Sequence, residues 1–443
     1  MLSRAHLHAL AVSSGFCQRE SPMKPEIFFD MLLQTVTLTD DESLSYMVSV
    51  LESDFGITIK KQSLHERFNE RSVLFVKAVL SEILCEHFAD LYSGELLPCF
   101  SRILIKDSTK FMVSSSLEGE YKSCGGDLYS RSKAGVSIQY EYDLKSGGIT
   151  DLNITSGSRN DRTDAGESVD NIDAGDLIIR DLGYFSTPVF QKCIEKKAFF
   201  LSRLDCSVKV YDENLSQLSF SGIYRSMQKT GMTEKEMNVY VGKNAQMPAR
   251  LILQIVPHKV YEQRIREKTK KSRGQGRGQL TEETKIRCMF NLFITNADVK
   301  KLSVSHVFPL YRIRWQIELQ FKSWKSVFKI DHYKEVKKHR YLTMLYIKLL
   351  LIVVNLQVIY CLQASAMQTE ADKIIVISLN KALKTMRTLF DAIFDMIRGT
   401  CRKAMQTAWY IRNRLSKNHR LESKKNKLCL PEILQSIICI SEK

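Results

Sequence analysis

YRIRWQIELQFKSWKS, residues 311–326, sets one carboxylate, Glu318, among Arg314, Lys322 and Lys325, with Tyr311 and two of the chain's three tryptophans. At about 100° per residue on a helix, Tyr311 and Lys325 fall within about 20° of Glu318, and Arg314 and Lys322 within about 40°. Leu310, Ile317, Phe321, Trp324 and Phe328 gather about 90° away as a separate apolar face. A ladder of i, i+4 ion pairs on a solvated helix accounts for Arg314, Glu318 and Lys322. It gives no reason for Tyr311 and Lys325 to share the stripe. A metal-binding Glu318 accounts for all five: Arg314, Lys322 and Lys325 hold phosphates beside it, and Tyr311 donates to a phosphate or stacks on a base. Phosphate contacts of this kind set register, while sequence is read elsewhere.

Two further carboxylates close apolar strands. Asp107 ends RILIKDST and Asp181 ends the apolar part of DLIIRDLGYFS. One aspartate at a strand end is commonly a turn former. Two in matching positions, with Glu318 on a helix, make an oxygen-donor set for hard divalent cations, which bind through one or two carboxylates and phosphate oxygens. Paired ions of this type activate water and stabilise the leaving oxygen of a phosphodiester.

The remaining sequence agrees with a partner that is a polyanion. Lys plus Arg number 65 against 49 Asp plus Glu, a formal charge of +16 over 443 residues; this favours nucleic acid or an anionic membrane surface. The length suggests two to four domains. Eleven scattered Cys, with no C-x-x-C, fit reduced and mostly buried thiols in a cytosolic chain. The opening residues lack the sustained apolar core of a secretory signal. MLYIKLLLIVVNLQVIYCLQ, 344–363, has the length of a membrane span but is interrupted by Lys348, Asn355 and Gln357; it reads as a buried core helix, so no membrane partner is expected.

Residues 25–95 carry helical periodicity. Asp40 or Asp41 is placed to cap a helix, and Gly56 to turn it into a second helix near 59–70 bearing Lys60, Lys61 and Arg67. This is the outline of a helix-turn-helix over 41–70, and equally of plain helix packing. From about residue 100, strands dominate: SRILIKDST, AGVSIQYEYDL, GGITDLNIT, GDLIIRDLG and EKKAFFLSRL. Residues 206–290 read as a β-rich insertion. Within it, EQRIREKTKKSRGQGRGQ (262–279) reads as a solvated basic loop, and KIRCMFNLFITN as a strand. Helices follow over 303–330 and 335–363, then a basic tail that includes Arg402, Lys403, Arg412, Arg414, Lys417, Arg420, Lys424, Lys425 and Lys427.

Tyr311, Arg314, Glu318 and Lys325 together resemble the Y-(2)-R-(3)-E-(6)-K signature of the insertion-sequence-four group of bacterial transposases. DSTKF at 107 and DLGYFS at 181 resemble that group's first and second catalytic segments. The resemblance covers roughly residues 20–365. It implies an α/β fold with an RNase H-like mixed β-sheet core and flanking helices, laid out as a helical DNA-binding region (1–98), a split core (99–205 and 291–365) around the insertion (206–290), and a helical C-terminal region (366–443). It implies catalysis by Asp107, Asp181 and Glu318 holding two Mg2+ ions, with Mn2+ able to substitute. Cleavage and strand transfer at terminal inverted repeats, joining to target DNA, a homodimeric synapse and a nucleoid-associated place in a bacterial cytoplasm follow from it as well. Arg203 resembles a basic position near the site. The relatives' stacking Trp has no counterpart in 206–290, since the tryptophans are 315, 324 and 409; Tyr211, Phe220, Tyr224, Tyr240 and Tyr261 are aromatic residues there. The alternative is a catalytically inactive DNA-binding regulator or inhibitor derived from such an enzyme, which calls for a damaged triad or a truncated N-terminal region.

Overall fold

A computed structural model of the chain describes residues 3–38, 43–85, 96–123, 133–205, 207–243, 247–274, 276, 278–332, 334–369, 376–389, 392, 404–421 and 430–441. The helices in chain order are α1 (Arg4–Ser13), α2 (Pro25–Leu38), α3 (Leu44–Phe55), α4 (Lys61–Arg67), α5 (Glu70–Cys85), α6 (Asp161–Glu167), α7 (Thr187–Glu195), α8 (Phe220–Thr230), α9 (His258–Gly274), α10 (Glu282–Arg287), α11 (Val304–Ile313), α12 (Trp315–Phe328), α13 (Lys338–Thr369), α14 (Leu379–Thr388), α15 (Ala404–Asn418) and α16 (Leu430–Ser441). The strands are β1 (Ile103–Met112), β2 (Gly135–Asp143), β3 (Ile149–Ser156), β4 (Leu177–Arg180), β5 (Phe199–Arg203), β6 (Val210–Tyr211), β7 (Glu234–Val241), β8 (Met247–Ile255) and β9 (Phe290–Thr295). They form a mixed sheet in the order β3-β2-β1-β4-β5-β9-β8-β7-β6, the expected α/β class. By compactness the chain divides into two units: Met1–Ser93 with Ser108–Arg159 and Gln316–Glu432, and Gly94–Asp107 with Asn160–Trp315 and Ile433–Lys443.

In the first unit, α3 opens on Ser43, whose hydroxyl accepts from the Tyr46 N–H, and ends on Gly56 at φ 64°. Glycine reaches that left-handed conformation without a Cβ penalty, so the chain can stop the helix and turn. The expected caps Asp40 and Asp41 lie outside the described residues. The second helix of the pair, α4, is seven residues long. The long helix α13 packs against α5, pinned by a buried Ser72–Thr343 hydroxyl pair at 3.0 Å and by Gln357 donating to the Ile83 carbonyl at 2.9 Å. It is the described helix with the length and composition of a membrane span, but 89% of its apolar window is buried in protein. Lys348 within it donates to the Lys329 carbonyl at 3.3 Å. The reading as a core helix holds. The apolar face of α12 is buried as the spacing demands: Trp324 is fully covered and sits edge-on to Tyr140 of β2 at 4.9 Å.

In the second unit, β1, β4 and β5 run parallel, and their residues Ile103–Ile105 and Leu177–Ile179 are buried, as parallel strands covered on both faces require. Phe200 stacks on Phe190 of α7 at 4.4 Å. β9 then pairs antiparallel with both β5 and β8. The segment read as β-rich carries α8, α9 and α10 beside β6, β7 and β8.

Two local readings are corrected. EQRIREKTKKSRGQGRGQ is not a loop: its first part lies in α9, which runs to Gly274. From 258 to 273 there is no Gly or Pro, the long charged side chains are good helix formers, and Glu262 faces Arg266 one turn on at 3.6 Å. The charge density of this run solvates a helix rather than a loop. KIRCMFNLFITN is a strand only from Phe290; its start belongs to α10, which Thr281 caps by accepting from the Thr284 N–H. Of the five cysteines whose side chains are described, Cys193 and Cys288 are buried, Cys17 and Cys361 are half-buried and Cys99 is exposed, so burial is less general than expected. The side chains of Cys85, Cys124, Cys206, Cys401, Cys429 and Cys439 lie outside what is described, as do Arg402, Lys403, Lys424, Lys425 and Lys427 of the tail.

Candidate active site

The parallel pairing of β1 with β4 sets Lys106 opposite Arg180. Asp107 and Asp181 come next, so they sit side by side where the pairing ends; Asp181 follows the last residue of β4, but Asp107 does not close its strand as the sequence suggests, because β1 runs on to Met112. Outside the carboxyl ends of parallel strands is where open α/β sheets place ligands. Side chains alternate across a sheet, so Lys106 and Arg180 face away from the aspartates. Lys106 is fully buried and its ammonium lies 2.8 Å from Asp164 of α6.

Arg314 brings the two aspartates together. It is the C-cap of α11, donates to Asp107 Oδ2 at 2.8 Å, and holds its second terminal nitrogen 3.6 Å from Asp181 Oδ1. The stretch 311–326 is therefore not one continuous helix: α11 ends at Ile313 and α12 begins at Trp315. Arg314 stands at this junction and reaches both aspartates from it. Tyr311 is 9% exposed, and its ring meets Phe293 of β9 edge-on at 4.9 Å. Burial pushes its hydroxyl up to about 12; Asp181 adds to this, while Arg314 and Arg203 oppose it. Arg203, at the end of β5, faces Phe293 in the β5–β9 register. Asp107, Asp181, Arg314, Tyr311 and Arg203 thus belong to one unit and one neighbourhood.

The other expected site residues lie in the first unit. Glu318 is in the first turn of α12 and partly buried. Lys322 is exposed; Lys325 reaches the Lys110 carbonyl at 3.5 Å and lies 5.8 Å over the Phe111 ring. Lys60 and Lys61 are exposed at the start of α4. Arg67 is instead turned inward, donating to Ser21 Oγ at 2.5 Å and to the Met23 carbonyl at 3.4 Å, and burial lowers its pKa.

Among the described residues, no three His, Cys, Asp or Glu side chains are gathered as a metal cluster. The convergent pair Asp107 and Asp181 nevertheless fits a hard divalent ion, which takes one or two carboxylates and fills its shell with water and phosphate oxygens. Sequence reading missed Asp164 and the buried cations Lys106 and Arg180. The signal was present as a base immediately before each aspartate, directly after an apolar run in each strand.

A basic chain with two aspartates side by side where a parallel strand pairing ends, bridged by an arginine at the end of α11, has the outline of a nucleic-acid phosphoryl-transfer enzyme. Residues 98–356 match the transposase DDE domain, and the chain belongs to that family. It is thereby a DNA-cleaving and DNA-transferring enzyme of a class that uses divalent metal. It is 34% identical to the transposase for insertion sequence element IS231F of Bacillus thuringiensis subsp. israelensis over 70% of this chain and 68% of that one. It is 30% identical to the transposase for IS231B of Bacillus thuringiensis subsp. berliner, over 76% and 74%. With the transposase for IS1151 of Clostridium perfringens it shares 26% identity over 83% and 80%.

Proposed function

We propose that the protein is the transposase of a bacterial insertion sequence, which binds the element's terminal inverted repeats as a homodimeric synapse and moves it by cut-and-paste cleavage and strand transfer in the cytoplasm. The observation that carries this reading is the convergence of Asp107 and Asp181 on Arg314, in a chain whose relatives are insertion-sequence transposases. Asp107 and Asp181 are assigned as metal-ligating catalytic carboxylates on that convergence. Glu318 is assigned as the third on its place in the sequence signature. Two Mg2+ ions, or Mn2+, when bound supply the acidity that activates a water or 3′-hydroxyl and stabilises the leaving oxygen.

Arg314 orients the two aspartates and balances their charge. The Tyr311 hydroxyl, held near 12, keeps its proton throughout the working range. It therefore acts as a hydrogen-bond donor to a phosphate oxygen, and its ring, packed on Phe293, is not the stacking surface. Lys322, Lys325 and Arg203 are assigned to backbone phosphates near the scissile bond, and Lys60 and Lys61 to duplex contacts. Arg67 acts indirectly, fixing the 21–23 segment against α4.

The test is cleavage of a labelled duplex bearing the DNA that flanks the gene at its source. Mg2+ is compared with Ca2+, and wild type with Asp107→Asn, Asp181→Asn and Glu318→Ala. A nick or double-strand break at the repeat end that needs Mg2+ and each carboxylate is expected, with end binding retained in all variants. Wild-type-like cleavage by Glu318→Ala removes Glu318 from the site. Binding without cleavage by the wild type replaces the enzyme reading with a regulatory one.

A further inference from the structure

Within the second unit, a cavity of about 410 Å3 is lined by Arg162, Lys209 and Lys243 together with Ser186, Thr187 and Pro188 at the start of α7. The three cations come from three separate chain segments, and all three are exposed. Their backbones are pinned. The Gly242 N–H donates to the Lys209 carbonyl at 3.1 Å, and the Tyr211 hydroxyl donates to the Lys243 carbonyl at 3.2 Å. Gly242 sits at φ 110°, a conformation that side chains rarely adopt, so the turn that carries Lys243 depends on glycine. Arg287 donates to the Val208 carbonyl at 3.0 Å and fixes the other wall.

The floor adds a further positive element. Ser186, the N-cap of α7, makes no side-chain capping bond, and Pro188 stands in the first turn. Unsatisfied N–H groups at a helix start carry partial positive charge. Asp205, two residues before the lining residue Ser207, has Arg162 and Lys268 of α9 as its facing cations. Burial works to raise its pKa, but hydrogen bonds from Ser207 and those two cations hold it below the usual value, so it stays ionised. A fold that gathers three cations from separate segments around one cavity is suited to a bound polyanion.

We propose that this cavity seats backbone phosphates of DNA, with Arg162, Lys209 and Lys243 as the phosphate-binding side chains. The proposal rests on the reading of the chain as a DNA-acting transposase. It adds a contact surface on Arg162, on the residues before β6 and on Gly242 and Lys243 after β7, outside the 311–325 signature and outside α4.

The test measures anisotropy of a labelled duplex with the full chain in Ca2+ across a KCl series. Each phosphate contact contributes about 0.9 to the slope of log K against log salt. The triple variant Arg162→Ala/Lys209→Ala/Lys243→Ala should lower that slope by about 2–3. Its melting temperature should stay near wild type, because all three side chains are exposed. The control Lys192→Ala/Lys229→Ala/Lys300→Ala removes the same charge from exposed positions of the same unit and should leave the slope near wild type. A site variant with the wild-type slope, or with a drop equal to the control's, overturns the proposal. If the wild type itself shows no salt-dependent DNA binding, the transposase reading falls first and the site with it.

Discussion

Replacing Asp164 by Asn tests how the strand ends that carry the aspartates are held. Lys106 is 0% exposed and its ammonium sits 2.8 Å from the Asp164 carboxylate. At an effective dielectric near 20, unit charges about 4 Å apart attract by about 4 kcal/mol. Removing one member of a buried pair costs about 3–5 kcal/mol, because the survivor remains buried. Here the survivor also stands opposite the buried Arg180 in register, which adds repulsion. Asp164→Asn should therefore destabilise by about 3–5 kcal/mol. Lys106→Met should cost a comparable amount, since Asp164 is itself buried. The double variant Lys106→Met/Asp164→Leu should return to within about 1 kcal/mol of wild type, because apolar groups can replace a buried pair with little loss. Guanidinium unfolding followed by circular dichroism measures all four proteins as a double-mutant cycle. A single-variant cost below about 1 kcal/mol, or strictly additive losses in the double variant, would refute the reasoning.

Three further outcomes follow from the same geometry. Arg314→Gln removes the guanidinium shared by Asp107 and Asp181 and should slow single-turnover cleavage about 10²–10³-fold; a loss under about 10-fold would mean the aspartates hold their positions without it. Tyr311 and Tyr346 each have pKa values raised by burial from 10 to about 12. Both stay neutral in the fold while the unfolded chain ionises, so their stabilisation is complete below pH 10 and is lost as pH rises to 12. Stability should fall by roughly 2–3 kcal/mol per tyrosine over that range, and Tyr311→Phe should flatten part of the fall seen in pH-dependent melting. Arg264 ties α9 to the Phe290 carbonyl at 2.8 Å and Asn291 Oδ1 at 2.6 Å, while α9 has no buried residue; Arg264→Ala should cost about 1–3 kcal/mol and hasten trypsin cleavage within 258–274, and an unchanged cleavage rate would show that α9 is held by something else.

The strands beside the aspartates were legible because buried parallel strands read as unbroken apolar runs: Ile103–Ile105 before Lys106 and Asp107, and Leu177–Ile179 before Arg180 and Asp181. Gly56 was legible because a left-handed helix stop has few substitutes. The apolar face of α12 followed from spacing alone. Other features depend on partners distant in sequence. Nothing local says that Lys106 pairs with Asp164, or that Arg67 turns inward to Ser21. The break at Arg314 was hidden because the residues on both sides of it are good helix formers. In α9 the error was one of weighting: charge density was read as solvation, although a run free of Gly and Pro up to 274 favours a helix.

β9 has both of its long edges occupied, by β5 on one side and by β8 on the other. The segment between residues 206 and 289 is therefore not a cassette that can be excised or exchanged among homologues. Deleting it would strip β8 from FNLFIT and leave an apolar strand with a row of open N–H and C=O groups, the kind of edge that recruits other chains. In the intact fold the sheet closes on that side with β6, only two residues long, too short to template further pairing. Shortened or chimeric versions of this protein should thus fail by aggregation before they fail in chemistry, unless β7 and β8 travel with β9.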